Sequence, residues 1–411
     1  MADRIYDVIV VGGGAAGVFG ALACAAEMPG RRVLVLERGE ALLRKVKISG
    51  GGRCNVTHAA YEPERLAANY PRGARELRGP FTRFQPRDTV EWFRRRGVAL
   101  KTEDDGRIFP TSDSSQTIIN CFLDELGKLR VETRTRNAVE RISGQDGGFE
   151  VALRGGQTLS ARRVLLATGG ERGGFALAQG LGHTIVPPVP SLFTFKIQDE
   201  RLALLAGVSV PDAIVRLPDF GLEQYGPLLI THWGLSGPAV LKLSAWGARA
   251  LHGANYRTLL RVNWTGAESV DSLYHKLLEV KRERPRQTVS AHEPLGLMPL
   301  RLWKRLISAA GIRAAEPWNE VFPGMLRSVA EQCVRGEFAI SGKGEFKEEF
   351  VTCGGVELKE VNFKTMESRV APGLYLAGEV LNIDGITGGF NFQSAWTTGW
   401  IAGKAMAGRE P

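Results

Sequence analysis

The sequence predicts an α/β protein: a Rossmann-like domain interrupted by a segment of short strands and then helices. Three observations predict it. An apolar β-branched run, Asp7–Val11, meets the glycines Gly12-Gly13-Gly14 and then a small-residue helix reaching Ala26. A second buried strand ends in Ala167-Thr168-Gly169-Gly170 ahead of the break Pro187-Pro188-Val189-Pro190, and a third ends in Ala377-Gly378-Glu379 near the C-terminus. Between those two, short strand-like runs separated by Gly and Pro give way to helical periodicity.

The first of these is a strand, a tight turn and a helix. Gly12 lets the chain turn sharply, Gly14 lets backbone lie against a phosphate, and Gly17 lets helix and strand pack closely. The helix opens at Ala15-Ala16, so its free N–H groups and positive dipole end face a pyrophosphate. Arg32–Glu37 reads as the next strand. Glu37 falls 20 residues after Gly17, where an acid accepts from an adenosine ribose hydroxyl. Its charge repels a 2′-phosphate, so the site suits FAD or NAD over NADP. A lone glycine turn is common in ordinary α/β folds; the flanking strands and the acid are what distinguish this one.

Composition sets the outer bounds. At 411 residues the chain is long enough for two or three domains, and 44% apolar with 24% charged residues is ordinary for a globular protein. The 50 glycines are many, as expected where backbone approaches a large cofactor. No run approaches the roughly 18 apolar residues of a membrane span. The first strand begins within a few residues of Met1, which leaves no room for a signal peptide and predicts a cytoplasmic protein. The five cysteines, Cys24, Cys54, Cys121, Cys333 and Cys353, are scattered and read as free thiols. Neither they nor the six histidines show ligand spacing, so no metal is expected. Lys and Arg number 53 against 44 acids, a net +9. Two segments hold much of that excess: nine Arg against five acids in residues 61–100, and eight Lys/Arg against two acids in 280–313. Solvated helix faces explain such runs; an anionic substrate or RNA is the sharper reading.

Residues 44–57 hold Ser49-Gly50-Gly51-Gly52-Arg53-Cys54-Asn55-Val56-Thr57. Three consecutive glycines make a loop that wraps a planar ligand. Ser49, Asn55 and Thr57 offer short hydrogen-bonding groups, and Arg53 offers a cation for phosphate or a reduced, anionic flavin. Together with Val10–Gly17 and Glu37, this run resembles the HI0933-like family of bacterial flavoproteins, which includes aminoacetone-oxidase-like and bile-acid-inducible members. The resemblance extends over nearly the whole chain and implies FAD as cofactor. It also implies a two-dinucleotide-binding type of flavoprotein fold with an inserted barrel and helical appendage. The expected cofactor set in this stretch is Gly12, Gly14, Ala15, Ala16, Gly17, Glu37, Arg38, Lys45, Ser49, Gly50, Gly52, Arg53, Cys54 and Asn55.

Further along, Asp88–Arg96 reads as a helix, Thr111–Ser115 offers caps for a helix from Gln116 to about Leu129, and Arg130–Thr135 reads as a strand. Around Val139 the resembling folds contact adenine through backbone. Phe149–Leu153 and Thr158–Leu166 bracket Gly155-Gly156 as a hairpin. Thr168 and Gly169 then return the chain past the cofactor. The expected domains are 1–190 and 346–411 for the FAD-binding part and 191–345 for the insertion, with its helical subdomain at about 267–332. Within the insertion, Ser236 is an expected N-cap and Pro238 lies in the first helical turn. His232 is the candidate catalytic residue, an acid–base group if the insertion closes over the flavin; the alternative is a histidine that holds a strand–helix corner.

The last segments turn a dinucleotide into FAD. Gly378-Glu379 stands where Gly-Asp stands in many flavoproteins, with the acid accepting from a ribityl hydroxyl. Asp384-Gly385-Ile386-Thr387-Gly388-Gly389-Phe390-Asn391-Phe392-Gln393 opens the final helix, whose N-terminus aims at the flavin N1–C2=O edge. Asp384, Gly388, Gly389, Asn391, Phe392 and Gln393 complete the expected cofactor set.

Only one dinucleotide fingerprint is present, and no Cys-x-x-x-x-Cys pair accompanies it. The sequence therefore predicts an FAD-dependent oxidoreductase that transfers a hydride between flavin and a small organic substrate, an amine or an enone. NAD(P)H or O2 is the other redox partner. A membrane partner is not expected. An RNA-associated flavoprotein is the alternative that the basic segments raise, though no RNA-binding motif accompanies them; a flavin-binding protein without turnover is a third.

Overall fold

The computed structural model describes residues 5–344 and 351–408. They fall into two compact units, Met1–Val189 with Val351–Pro411, and Pro190–Phe350. The expected return of the chain at 346 lies outside the described residues.

The first unit is built on a nine-stranded sheet. Tyr6–Val11 lies at its centre, parallel to Val33–Leu36 on one side and to Thr158–Leu166 on the other. Glu132–Arg134 and Leu374–Leu376 continue the parallel order outward. The hairpin Val139–Gln145 and Gly148–Leu153 joins antiparallel to Thr158–Leu166. Central strands of such a sheet are covered on both faces, so they read as continuous apolar runs; Val8, Ile9, Val10, Leu165 and Leu166 are fully buried. The helix Ala15–Glu27 crosses the last helix, Phe390–Met406, through glycines. A Cβ on Gly399 would stand 2.5 Å from the Ala16 carbonyl oxygen, and one on Gly403 2.4 Å from that of Gly20. Aromatic rings of Phe19, Phe84, Trp92, Phe122 and Trp396 fill the layer beneath these helices at centroid distances of 5.0–6.1 Å.

The second unit is a closed six-stranded antiparallel barrel with helices. Its strands in order around the barrel are Phe195–Ile197, Gly234–Ser236, Leu222–Thr231, Ser209–Leu217, Thr258–Asn263 and Gly336–Lys343. Alternation sets the interior: Ala213, Val215 and Leu217 are buried, as are Leu228 and Ile230. Three helices, Val270–Glu283, Leu300–Ala309 and Pro323–Arg335, share one core with the barrel around Trp264, Trp303 and Trp318.

Local differences from the sequence reading have identifiable causes. Residues 44–48 form a helical turn that buries Val46, and the chain leaves helical geometry at Ser49, where the glycine loop begins. The strand expected at Arg130–Thr135 is shorter, Glu132–Arg134, and Arg130 ends the preceding turn at φ +53. Ser236 does not cap a helix. Gly237 takes that position at φ +92, where a Cβ would meet the Pro227 carbonyl at 2.8 Å, and the Ser236 hydroxyl pairs with that of Thr194 at 2.8 Å.

Candidate functional site

The site in the first unit starts where Tyr6–Val11 ends. Gly12 (φ +111) passes so close to the returning strand that a Cβ would lie 2.4 Å from the Ala167 carbonyl. A Cβ on Gly17 would lie 1.9 Å from the Gly12 carbonyl, so only glycine allows helix Ala15–Glu27 to start there. At Gly14, by contrast, the Cβ position meets nothing within 4 Å. Gly12 and Gly17 thus serve chain packing, and Gly14 opens the helix N-terminus to an anion. Ala15 and Ala16 open the helix itself.

Glu37 is locked in place. Its Oε2 accepts from Gly13 N at 2.8 Å and its Oε1 from Gly39 N at 2.7 Å. Each oxygen keeps a lone pair for a ribose hydroxyl. Arg38, next in the chain, is largely exposed and pairs with Glu171. Val139 starts a strand and is half-buried.

A second opening follows at Ser49–Asn55. Gly50 (φ +57), Gly51 (φ +67) and Gly52 (φ +85) run through the left-handed region in succession, a path that only glycine takes cheaply. The Cβ positions of Gly51 and Gly52 are open. The Ser49 hydroxyl is turned back on the Val46 carbonyl at 2.8 Å. Cys54 is fully buried, and burial pushes its thiol up to about 12, so it is a core group and not a thiolate. Arg53 lies 4.0 Å over the Phe109 ring and bonds the carboxylates of Glu103 and Asp113. Its charge is already compensated.

Lys45 bonds Glu379 at 2.8 Å, and a Cβ on Gly169 would lie 3.8 Å from Glu379 Oε2 and 4.0 Å from Lys45 Nζ. The Glu379 carboxylate holds the Lys45 ammonium above its ordinary pKa. Gly378 (φ +74) presses on Ala16, and its N–H donates to Thr398 Oγ1 at 3.0 Å. The Lys45–Glu379 pair, Gly169 and the start of helix Ala15–Glu27 therefore share one neighbourhood.

The start of the last helix is the most tightly built part. A Cβ on Gly389 (φ +94) would stand 2.6 Å from the Thr57 carbonyl and 2.9 Å from Asn55 Oδ1. Gly388 (φ +123) runs beside the His58 ring, which stacks on Phe390 at 4.7 Å. Asn391 closes the preceding loop at both ends, accepting from Gly385 N at 2.8 Å and donating to Gly385 O at 2.9 Å. Phe392 stacks on Trp396. Gln393 is fully buried. Its Oε1 accepts from Thr57 at 2.6 Å and Thr89 at 2.9 Å, and its Nε2 donates to Thr397 at 3.1 Å. The Gln393 amide therefore holds the helix start from behind rather than facing outward. Asp384 is likewise buried, in a two-pronged bond from Arg72 (Nε to Oδ1, 2.5 Å).

Sequence reasoning passed over residues 60–85, and they matter here. The turn Asn69–Gly73 grips the loop before the last helix. Asn69 O accepts from Ile386 N at 2.9 Å, the Tyr70 hydroxyl donates to Phe390 O at 2.6 Å, and Arg72 holds Asp384. Nothing in the local sequence announces those partners, which lie more than 300 residues away.

Four buried side-chain oxygens in this unit have no partner, Asn55 Oδ1, Gln85 Oε1, Thr168 Oγ1 and Asn382 Oδ1. Such atoms call for a donor. Asn55 Oδ1 lies against the Gly389 turn. Open helix N-termini, a locked acid and an unsatisfied acceptor beside the glycine turn are what an FAD molecule requires, and these residues fit it. His232, the catalytic candidate, belongs to the other unit and is exposed in the hairpin turn between Leu222–Thr231 and Gly234–Ser236. Among the described residues no group of three His, Cys, Asp or Glu side chains could hold a metal ion, and no helix is long and apolar enough to cross a membrane.

Comparison with known proteins follows the same line. The family model described as HI0933-like protein Rossmann domain matches residues 6–405. A 3-dehydro-bile acid delta(4,6)-reductase of Clostridium scindens is 32% identical over 97% of this chain and 98% of its own. A ribosomal RNA dihydrouridine synthase of Escherichia coli K12 is 31% identical over 98% of each. Among solved structures, a 3-ketosteroid-delta4-(5alpha)-dehydrogenase of Rhodococcus jostii RHA1 superposes with a TM-score of 0.52 at 16% identity. That match covers 99% of this chain and 98% of that one, and at this identity it speaks for the fold.

Proposed function

The chain belongs to the HI0933-like family and is an FAD-dependent oxidoreductase, and from that premise we propose that it reduces a carbon–carbon double bond conjugated to a carbonyl. One observation carries the proposal: the chemistry that the two relatives' names have in common. A 3-dehydro bile acid with Δ4,6 unsaturation is a dienone, and uridine has a C5=C6 bond conjugated to its C4 carbonyl. The two molecules share no shape. They share an electron-poor alkene that accepts hydride at the β carbon and a proton at the α carbon. This favours the enone over the amine among the small substrates the sequence allows.

Bound FAD supplies the hydride. The rest falls to the chain. In this reading the open N-terminus at Gly14–Ala16 holds the pyrophosphate and Glu37 the adenosine ribose. The Asn55 oxygen would accept a hydrogen bond from the bound cofactor. Gly388, Gly389 and the start of helix Phe390–Met406 would place a positive dipole end beside it. Gln393, Asn391 and Asp384 keep that helix start in place. NAD(P)H is the proposed electron source, used without a second dinucleotide fold. A cytoplasmic location belongs to the same proposal and agrees with five free, buried cysteines.

A second reading concerns the size of the substrate: the conjugated bond is that of a pyrimidine within RNA. The net charge of +9, with eight Lys/Arg against two acids in residues 280–313, favours it.

The deciding experiment is anaerobic. Photoreduced flavoprotein is mixed with a steroid enone, a uridine-containing RNA transcript, and an isolated alkene, and flavin absorbance is followed. Return of the oxidised spectrum with a conjugated substrate and not with the isolated alkene is expected. Bleaching of the oxidised flavin by amines, with no response of the reduced flavin to any conjugated substrate, overturns the proposal.

A further inference from the structure

The basic segment noted in the sequence takes a definite form in the barrel unit. Helix Leu300–Ala309 buries Leu302, Trp303, Leu306 and Ile307 and turns Arg301, Lys304, Arg305 and Ser308 outward. Those four sit at i, i+3, i+4 and i+7, one continuous face. The helix contains no acid. Among the described residues, no carboxylate forms an ion pair with Arg301, Lys304 or Arg305, whereas Arg201, Arg216, Arg261, Arg313 and Arg327 of the same unit each have one.

Two of these cations do something further. Arg301 donates to the Leu204 carbonyl, and Arg305 donates to the Ala203 carbonyl at 3.0 Å. The turn they brace holds Leu204 at φ +63 with 83% of its surface exposed. A left-handed conformation is costly for a leucine, and an exposed leucine gains nothing from burial in return. A strained, braced and exposed apolar side chain flanked by uncompensated cations serves folding poorly and an anionic partner well.

We propose that this face docks RNA: Arg301, Lys304 and Arg305 meet successive phosphates of one strand, and Leu204 packs against unstacked bases. The proposal rests on the RNA reading of the substrate and names the surface that would hold it. Carbonyl bonds leave the guanidinium charge in place, so Arg301 and Arg305 remain available to phosphate. One turn of helix separates them, which lets both reach a single backbone.

The test uses the FAD-loaded full chain and a fluorescein-labelled 30-nucleotide poly(U), read by anisotropy from low to moderate salt. Binding is expected to weaken with salt, with a log–log slope that falls by about 0.7 per cation removed from a single-strand contact. Lys304→Gln, which touches neither braced carbonyl, should lower the slope by about that amount. Arg301→Gln/Lys304→Gln/Arg305→Gln should lower it by about 2. Leu204→Gly relieves the backbone strain, so it should weaken binding while leaving the melting temperature unchanged or raised. Absence of poly(U) binding at low salt, or slopes unaltered by Lys304→Gln, overturns the proposal. So does equal, Lys304-dependent binding to phosphatidylserine vesicles, which would make the face a membrane contact. Reoxidation of the wild-type reduced flavin by a small steroid enone is measured separately. It decides the reductase reading whatever the RNA result.

Discussion

Arg72 and Asp384 give the sharpest test of how the loop before the last helix is held. The Asp384 carboxylate has no exposed surface, and Arg72 is 15% exposed. Arg72→Ala removes the cation and strands a buried carboxylate. Breaking such a pair from one side costs about 3–5 kcal/mol, because the remaining charge is desolvated without compensation. Asp384→Asn should cost less, since the arginine left behind still reaches water. Arg72→Met/Asp384→Leu should approach the wild type, as apolar replacement of a buried pair is often neutral. Urea unfolding of the FAD-free protein at neutral pH measures all three, read at the transition of the Rossmann-like unit. Flavin retention on gel filtration reports whether loosening of Gly388–Gly389 follows. A cost for Arg72→Ala below about 1 kcal/mol, or a double variant as damaged as the single, would refute the view that this pair is an internal clamp.

Three further outcomes follow from the same geometry. Gly17→Ala should abolish folding, because its Cβ would lie 1.9 Å from the Gly12 carbonyl; Gly14→Ala, with open space at that position, should leave the melting temperature of the apoprotein within a degree or two and weaken FAD binding. Circular dichroism and flavin titration separate these effects. Cys24 and Cys54 are pushed up to about 12, and Cys121 to about 11, by burial. In the unfolded chain thiols ionise near pH 8.5, so the native state holds extra protons above that pH. Stability should be full below about pH 8.5 and fall as pH rises towards 12, each thiol adding about 1.4 kcal/mol per pH unit to the slope; iodoacetamide at pH 8 should label none of the three before unfolding. Gln393→Leu leaves the Thr57 and Thr89 hydroxyls without their shared acceptor, at a cost of about 1–3 kcal/mol in urea. It should also shift the flavin spectrum without changing the adenosine end of the site.

The parts of the site legible in the sequence are those whose chemistry is local. Gly12, Gly14 and Gly17 are readable because strand, turn and helix follow one another within a dozen residues. Glu37 is readable because its distance from them is fixed by one helix and one strand. Gly50–Gly52 announce a backbone path that other residues avoid. What the sequence could not convey is which polar groups use each other up. Gln393 and Asn391 look like ligand donors in a linear reading, since an amide beside a glycine turn has both donor and acceptor to offer. In three dimensions Thr57, Thr89 and Thr397 satisfy the first, and Gly385 the second. Arg53 reads as a cation for a cofactor, yet Glu103 and Asp113, themselves spread over strand and turn, compensate it. Asn69–Gly73 was illegible for the converse reason: its turn has ordinary composition, and its meaning lies wholly in contacts with residues 384–390.

That division bears on the proposed function, in which one cofactor site would serve substrates of unlike shape. The residues that secure the start of the last helix do so through hydrogen bonds within the unit: Thr57, Thr89, Thr397, Tyr70 and Arg72. A loop fixed in this way presents a constant face, and the proposed reaction asks of the substrate a conjugated alkene. Selection among substrates is then free to reside in parts of the chain that carry no cofactor contact. The barrel unit has such candidates in Arg301, Lys304 and Arg305 on the outward face of one helix and in Leu204, exposed at φ +63. On the proposed reading, Lys304→Gln should weaken RNA binding without altering the reoxidation of reduced flavin by a small conjugated enone.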